Sequence, residues 1–141
     1  SLPSQRSIAE QQYYAHPQNA FWRIMGELAG ATGSYEERCA ALMRHRIAVW
    51  DVLAASVRPG SMDADIDLDS AQANDYDSIY SGHPDLTRVL FNGRKAAQMF
   101  ARFAGDAAGL RVEVLLPSTS AAFAAMRFGD KLARWREGLA L

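Results

Sequence analysis

A chain of 141 residues, 49% apolar and 22% charged, is long enough for one domain with a real core and too short to expect two. No apolar run approaches the ~20 residues of a membrane-spanning helix, no signal-peptide pattern is visible, and the single cysteine, Cys39, excludes an intrachain disulfide or a four-cysteine metal site. The net charge of −1 is uneven: residues 1–87 carry 6 basic and 12 acidic groups, and residues 88–141 carry 9 basic and 4 acidic ones, a balance that suits a polyanion partner.

In chain order, Ser1 to Ser4 reads as a loop and Gln5 to Gln12 as one short helix. The stretch Gln11 to Trp22 then gathers two aromatic faces (Tyr13, Tyr14), an imidazole (His16) and an amide (Asn19), with Pro17 stiffening the backbone. Phe21, Trp22, Ile24, Met25, Leu28 and Ala29 recur at helical spacing, so a core helix is predicted from about Asn19 to Ala29, ending at Gly30 or Gly33. Asn19 would cap it. Ser34 with Glu37 is a capping-box pattern and starts a helix over about Tyr35 to His45, on which Cys39 is a packing residue. A reducing, cytoplasmic setting fits that thiol.

Ile47 to Leu53 is a short apolar run, consistent with a buried parallel strand. Arg58-Pro59-Gly60 marks a loop. Asp63, Asp65, Asp67 and Asp69 have part of a calcium-loop spacing, but Leu68 and Asn74 stand where that loop needs Gly and Glu, so a solvated acidic loop is the reading and no metal is expected. Asn74 to Ser81 fits a helical turn. Arg88 to Phe91 forms a strand closing on Asn92-Gly93, a helix follows from Arg94 to Ala104, and Val112 to Leu116 is another strand, ending in Pro117-Ser118-Thr119-Ser120. An alanine-rich helix to about Phe128 and an amphipathic one from Asp130 to Leu139 complete the chain.

Strands alternating with helices predict an α/β fold, in which chemistry gathers at the carboxyl ends of the strands. Those ends carry Asp51 to Arg58, Asn92-Gly93 and Pro117 to Ser120. No Walker loop, GxGxxG turn, GxSxG elbow or His/Cys cluster is present.

Four motifs stand in order: Gln11-Gln12-Tyr13-Tyr14-Ala15-His16-Pro17-x-Asn19-x-Phe21-Trp22, Val49-Trp50-Asp51-Val52-Leu53, Phe91-Asn92-Gly93 and Leu116-Pro117-Ser118-Thr119-Ser120. Together they resemble the uracil-DNA glycosylase superfamily, and within it the DNA-deoxyinosine (hypoxanthine-DNA) glycosylase branch. The resemblance implies a three-layer α/β/α sandwich around a short parallel four-stranded sheet. It implies a cofactor-free, monofunctional enzyme that flips deaminated bases out of damaged DNA and hydrolyses the N-glycosidic bond in base excision repair, as a monomer. Hypoxanthine is the chief base implied, beside uracil or xanthine. By the same resemblance Tyr14 stacks on the base and Asn19 is the catalytic amide. Tyr14 also reads as a core tyrosine.

An aromatic face suits an unstacked base, and an amide that does not titrate near neutrality can orient water without acting as a base. His16 lines the pocket, contacts a phosphate or fixes the loop. Asp51 bonds the base or orders its strand end, and Asn92 bonds the base or simply makes a turn. The resemblance implies that Ser4, Pro117, Ser118, Thr119 and Ser120 form the phosphate and wedge elements; the last three stand just before an expected helix, where they read equally as a cap.

The chain departs from relatives of this kind in two ways. They open with an apolar strand and a Gly before Ser-Leu-Pro-Ser, so a Val- or Leu-rich strand is expected upstream of Ser1. Uracil-specific relatives carry Asp or Asn where Leu2 stands and His or Asn where Leu116 stands, which argues against efficient uracil removal. The family's Pro and Asn after the serine motif are here Ala121 and Phe123. Two readings compete with a DNA glycosylase: a non-catalytic nucleic-acid-binding module, and a hydrolase of free nucleosides, against which the basic second half counts.

Overall fold

The computed structural model describes residues 3, 5–55, 66–67 and 72–141; Ser4, Leu2, the Arg58-Pro59-Gly60 loop and most of the acidic run lie outside them. The elements are α1 (Gln5–Glu10), α2 (Phe21–Ala29), α3 (Tyr35–Arg44), β1 (Leu53–Ala55), β2 (Gln72–Ala73), α4 (Tyr76–Gly82), β3 (Arg88–Asn92), α5 (Arg94–Phe103), β4 (Val112–Leu116) and α6 (Phe128–Leu139), with one 3₁₀ turn at Gly105–Ala108. They fall into two compact units. One spans Asp51–Leu116; the other joins Pro3–Trp50 to Pro117–Leu141.

The helices of the second unit follow from local sequence. The apolar stripe of α2 buries Phe21, Ile24, Met25 and Ala29, and Gly30, at φ 63°, closes the helix, its N–H donating to Gly26 O while Ala31 N–H donates to Met25 O. Before α3, Glu37 N–H donates to Ser34 Oγ (3.1 Å) while Ser34 N–H donates to Glu37 Oε2 (2.9 Å), the reciprocal cap its sequence predicts. Ala41 and Leu42 of α3 and Trp135 of α6 add to this core.

In the first unit β3 and β4 run parallel in register from Arg88↔Val112 to Asn92↔Leu116, joined by α5 as a βαβ crossover. Its core holds Val52, Leu53, Tyr76, Phe91, Met99 and Phe100. Gly93 links β3 to α5 at φ 95° and ψ 160°. That region is essentially restricted to glycine.

Three expectations need correction. First, the run Ile47 to Leu53 is not a parallel strand. β1 begins only at Leu53 and pairs antiparallel with β2, Leu53 opposite Ala73. Side chains and a non-ladder bond satisfy the preceding carbonyls: Asn74 Nδ2 (2.6 Å) and the Tyr76 hydroxyl (2.7 Å) both donate to Asp51 O, and Asn74 N–H donates to Val52 O. Trp50 stands exposed.

Second, the described strands form two two-stranded sheets, of which only β3–β4 is parallel.

Third, residues 121–127 are turn and irregular chain, so Ser118-Thr119-Ser120 precede no helix. The serine hydroxyls divert the backbone: Ser120 N–H donates to Ser118 Oγ (3.2 Å) and Ala122 N–H to Ser120 Oγ (3.2 Å). Such local bonds compete with helix, and here they outweigh alanine's helical preference.

Candidate functional site

The stretch between α1 and α2 is held by hydrogen bonds to three helices, α1, α2 and α3. Gln12 N–H donates to Ser7 O and Ala15 N–H to Ser7 Oγ (3.1 Å), the serine being buried on α1. Tyr13 N–H donates to the Tyr35 hydroxyl (3.2 Å), and Trp22 Nε1–H donates to Tyr13 O (2.8 Å). Burial pushes the Tyr35 phenol up from its ordinary value, and the neighbouring Cys39 thiol adds to this, so the hydroxyl remains neutral.

That scaffold fixes Tyr14 in the left-handed region, at φ 53°. Its ring stacks on Phe21, with centroids 4.1 Å apart and planes at 27°. Phe21 is in turn braced edge-on by Trp22 and Trp135. The aromatic column runs from the loop into the core.

Asn19 is not itself the cap residue of α2, which is Ala20. Its Oδ1 accepts the Phe21 N–H at 2.9 Å, so it performs a capping bond from one position earlier. Its Nδ2 has no hydrogen-bond partner among the described residues. The helix therefore uses one end of the amide and leaves the other available.

His16 Nδ1 accepts Gln18 N–H at 3.2 Å, which assigns a proton to Nε2. Its carbonyl accepts Asn19 N–H.

Tyr14, His16 and Asn19 line one cavity of about 260 Å³, together with Trp22, Arg23 and Arg38. Small-molecule sites run from ~300 Å³ upward, so this one suits a single base-sized or smaller group. Nothing in the residue spacing singled out the two arginines, which lie on different helices.

The serine loop belongs to the same unit. Ala20 N–H donates to Thr119 O (2.9 Å), tying that loop to the start of α2 beside Asn19. From α6, Trp135 Nε1–H donates to Pro117 O (2.9 Å) and Lys131 Nζ to Phe123 O (3.2 Å). Thr119 is buried, whereas Ser118 and Ser120 are half-exposed. Lys131 is also buried, and loss of solvent lowers its ammonium below the ordinary 10.5.

Asp51 and Asn92 belong to the other unit. Asp51 is half-buried ahead of β1, and Asn92 is half-buried at the carboxyl end of β3, opposite Leu116. Ser4 lies outside the described residues. Among the described residues no group of three His, Cys, Asp or Glu side chains is placed to hold a metal ion, and no helix is long and apolar enough to cross a membrane.

No family model matches the chain. Two curated proteins do. One, named hypoxanthine DNA glycosylase, from Methanosarcina acetivorans, is 39% identical over 125 residues, covering 86% of this chain and 76% of its own. Its namesake from Methanosarcina barkeri is 36% identical over 124 residues with the same coverage. The solution NMR structure of a Methanosarcina acetivorans protein described as a candidate uracil DNA glycosylase superposes with a TM-score of 0.79 at 34% identity, over 99% of this chain and 84% of that one. At that identity over that length, the chain belongs to the hypoxanthine DNA glycosylase family of the uracil-DNA glycosylase superfamily and is an enzyme of the DNA glycosylase class.

Proposed function

We propose that the protein removes deaminated bases from DNA, hypoxanthine first among them, by extruding the nucleotide and hydrolysing its N-glycosidic bond. The observation that carries this reading is the pairing of Tyr14, backed by Phe21 at 4.1 Å, with Asn19, whose Nδ2 is unengaged, on one cavity. The relatives' names point to the same base.

In this reading the extruded base stacks on the Tyr14 ring, and Phe21 keeps that ring from yielding. Breaking the bond between C1′ and the base leaves positive charge on the sugar and electron density on the base. Asn19 Nδ2 donates to the base edge, while a second lone pair on Oδ1 orients the water that adds to C1′. The amide takes no proton; the water's proton passes to solvent or to the departing base. Donors placed where charge develops are worth more in a desolvated site than in water.

Ser4, Ser118 and Ser120 hold the strand, with Pro117 and buried Thr119 anchoring their loop. The serine hydroxyls and turn amides make these contacts without a helix terminus. The same reading includes a monomer acting in the cytoplasm without a cofactor.

The test is incubation with duplexes carrying hypoxanthine, uracil or xanthine, with no added metal, followed by alkali. Strand breaks at hypoxanthine, with weaker or no breaks at uracil, are expected. Failure to form alkali-labile sites on any lesion would refute the reading. So would activity lost to EDTA and restored by zinc.

A further inference from the structure

Three side chains that carry nitrogen donors, Arg38, Arg23 and His16, line the cavity beside Tyr14 and Asn19, and among the described residues none has an anionic partner. Arg38, on α3, is half-buried, its guanidinium carbon 4.8 Å from the Trp22 ring and 5.8 Å from that of Tyr35. Its Nε is shut off from solvent without a hydrogen-bond partner. Arg23, on α2, rests with its guanidinium carbon 3.7 Å above the Phe128 ring. His16 supplies the third donor, Nε2–H, because its Nδ1 accepts from Gln18. The acid at the cavity wall, Glu10, is bonded to Arg6 at 2.8 Å.

A guanidinium lying on an aromatic face is fixed in orientation and presents its N–H groups edgewise. A half-buried cation without a counter-charge is a costly arrangement unless a ligand completes it. A neutral base edge accepts hydrogen bonds but does not neutralise two guanidinium charges; an oxyanion does both.

We propose that Arg38 and Arg23, with His16 Nε2–H as a third donor, hold a phosphate of the lesion-bearing DNA strand at the exposed rim of this cavity, beside the base that stacks on Tyr14. The proposal rests on DNA being the substrate, as argued above. A phosphate next to the extruded nucleotide must turn with its sugar, so a rigid grip there holds the base against Tyr14. The arginines position the strand and carry no base preference.

The experiment is equilibrium binding of duplexes with and without one hypoxanthine, between 50 and 200 mM salt, with wild type, R38M, R38K and R23M. Losing one phosphate contact lowers the slope of log affinity against log salt by about 0.9. R38M and R23M are each expected to show that decrease on both duplexes, whereas R38K should keep the wild-type slope with weaker binding. Because Arg38 also packs on Trp22, a second measurement replaces single phosphates near the lesion by neutral methylphosphonate. One position should weaken wild-type binding and leave R38M unaffected.

Unchanged slopes in both methionine variants would overturn the proposal. So would losses confined to the hypoxanthine duplex at constant slope, which would mean the guanidinium reads the base edge. The absence of any methylphosphonate position to which R38M is indifferent would overturn it too. Wild-type excision is scored separately: a protein with these slopes and no excision would refute the glycosidic reading while leaving the phosphate site intact.

Discussion

Tyr14 and Asn19 each serve the fold and the proposed chemistry at once, and substitution separates the two. Base–aromatic stacking is worth ~1–3 kcal/mol per base. Tyr14→Ala should therefore weaken binding to a hypoxanthine duplex by that amount, while Tyr14→Phe, which keeps the stack on Phe21, should bind nearly as the wild type in a titration. Equal losses in both would assign the effect to the hydroxyl. For Asn19, the Oδ1 bond to Phe21 N–H predicts that Asn19→Ala loses ~0.5–2 kcal/mol of stability, and that Asn19→Asp, which keeps the acceptor, melts normally. Aspartate has no Nδ2 to donate, so its excision of hypoxanthine should change although its melting temperature does not. Wild-type excision rates in both variants would reduce Asn19 to a cap. Composition and order made these two residues legible, because aromatic, amide and proline crowd into one dozen-residue stretch. Arg23 and Arg38 were not legible: single arginines on separate helices carry no spacing signal, and their meeting depends on packing.

Elements whose cause is local were readable, and those whose cause is distant were not. The Ser34–Glu37 cap needs only neighbours along the chain, and it sets the start of α3. Asn92-Gly93 and Pro117 likewise punctuate β3 and β4. The misread strand before β1 depends on Asn74 and Tyr76, more than twenty residues away, capturing the Asp51 carbonyl. Two predictions belong at this scale. Gly93→Ala places a side chain at φ 95° and ψ 160°, and should cost ~1–3 kcal/mol in denaturant unfolding. Lys131 gives a pH dependence. Its folded value lies below the ordinary 10.5, so both states are protonated at lower pH and the folded state carries the full cost of a buried charge. As pH rises through the folded value toward 10.5, the unfolded state holds more protons and that cost is relieved. Wild type should thus gain stability relative to Lys131→Met over that interval in melting curves; a constant gap would contradict the buried-charge account.

For the molecule as a whole, charge distribution matters more than total charge. With a net charge of −1 and an isoelectric point near 6.3, the protein has little general attraction for DNA at neutral pH. Binding must come from local groups. Affinity for undamaged duplex at fixed ionic strength should accordingly rise as pH is lowered from 7.5 to below 6.3, where the net charge turns positive. A filter-binding series that stays flat across that range would show that local contacts alone decide. The fold class was legible from alternating strands and helices, but the chain's division into two units was not, since the second unit is built from both ends of the sequence.

The backbone of Tyr14 has a further consequence. At φ 53° a tyrosine sits where a glycine would rest without penalty, and such residues cost of order ~1–3 kcal/mol. Tyr14→Gly should melt above Tyr14→Ala for that reason, because both lose the ring stacked on Phe21 and only glycine rests in that backbone region without penalty. The gap between those two melting temperatures reads the backbone cost that wild-type Tyr14 bears to keep a ring at one spot.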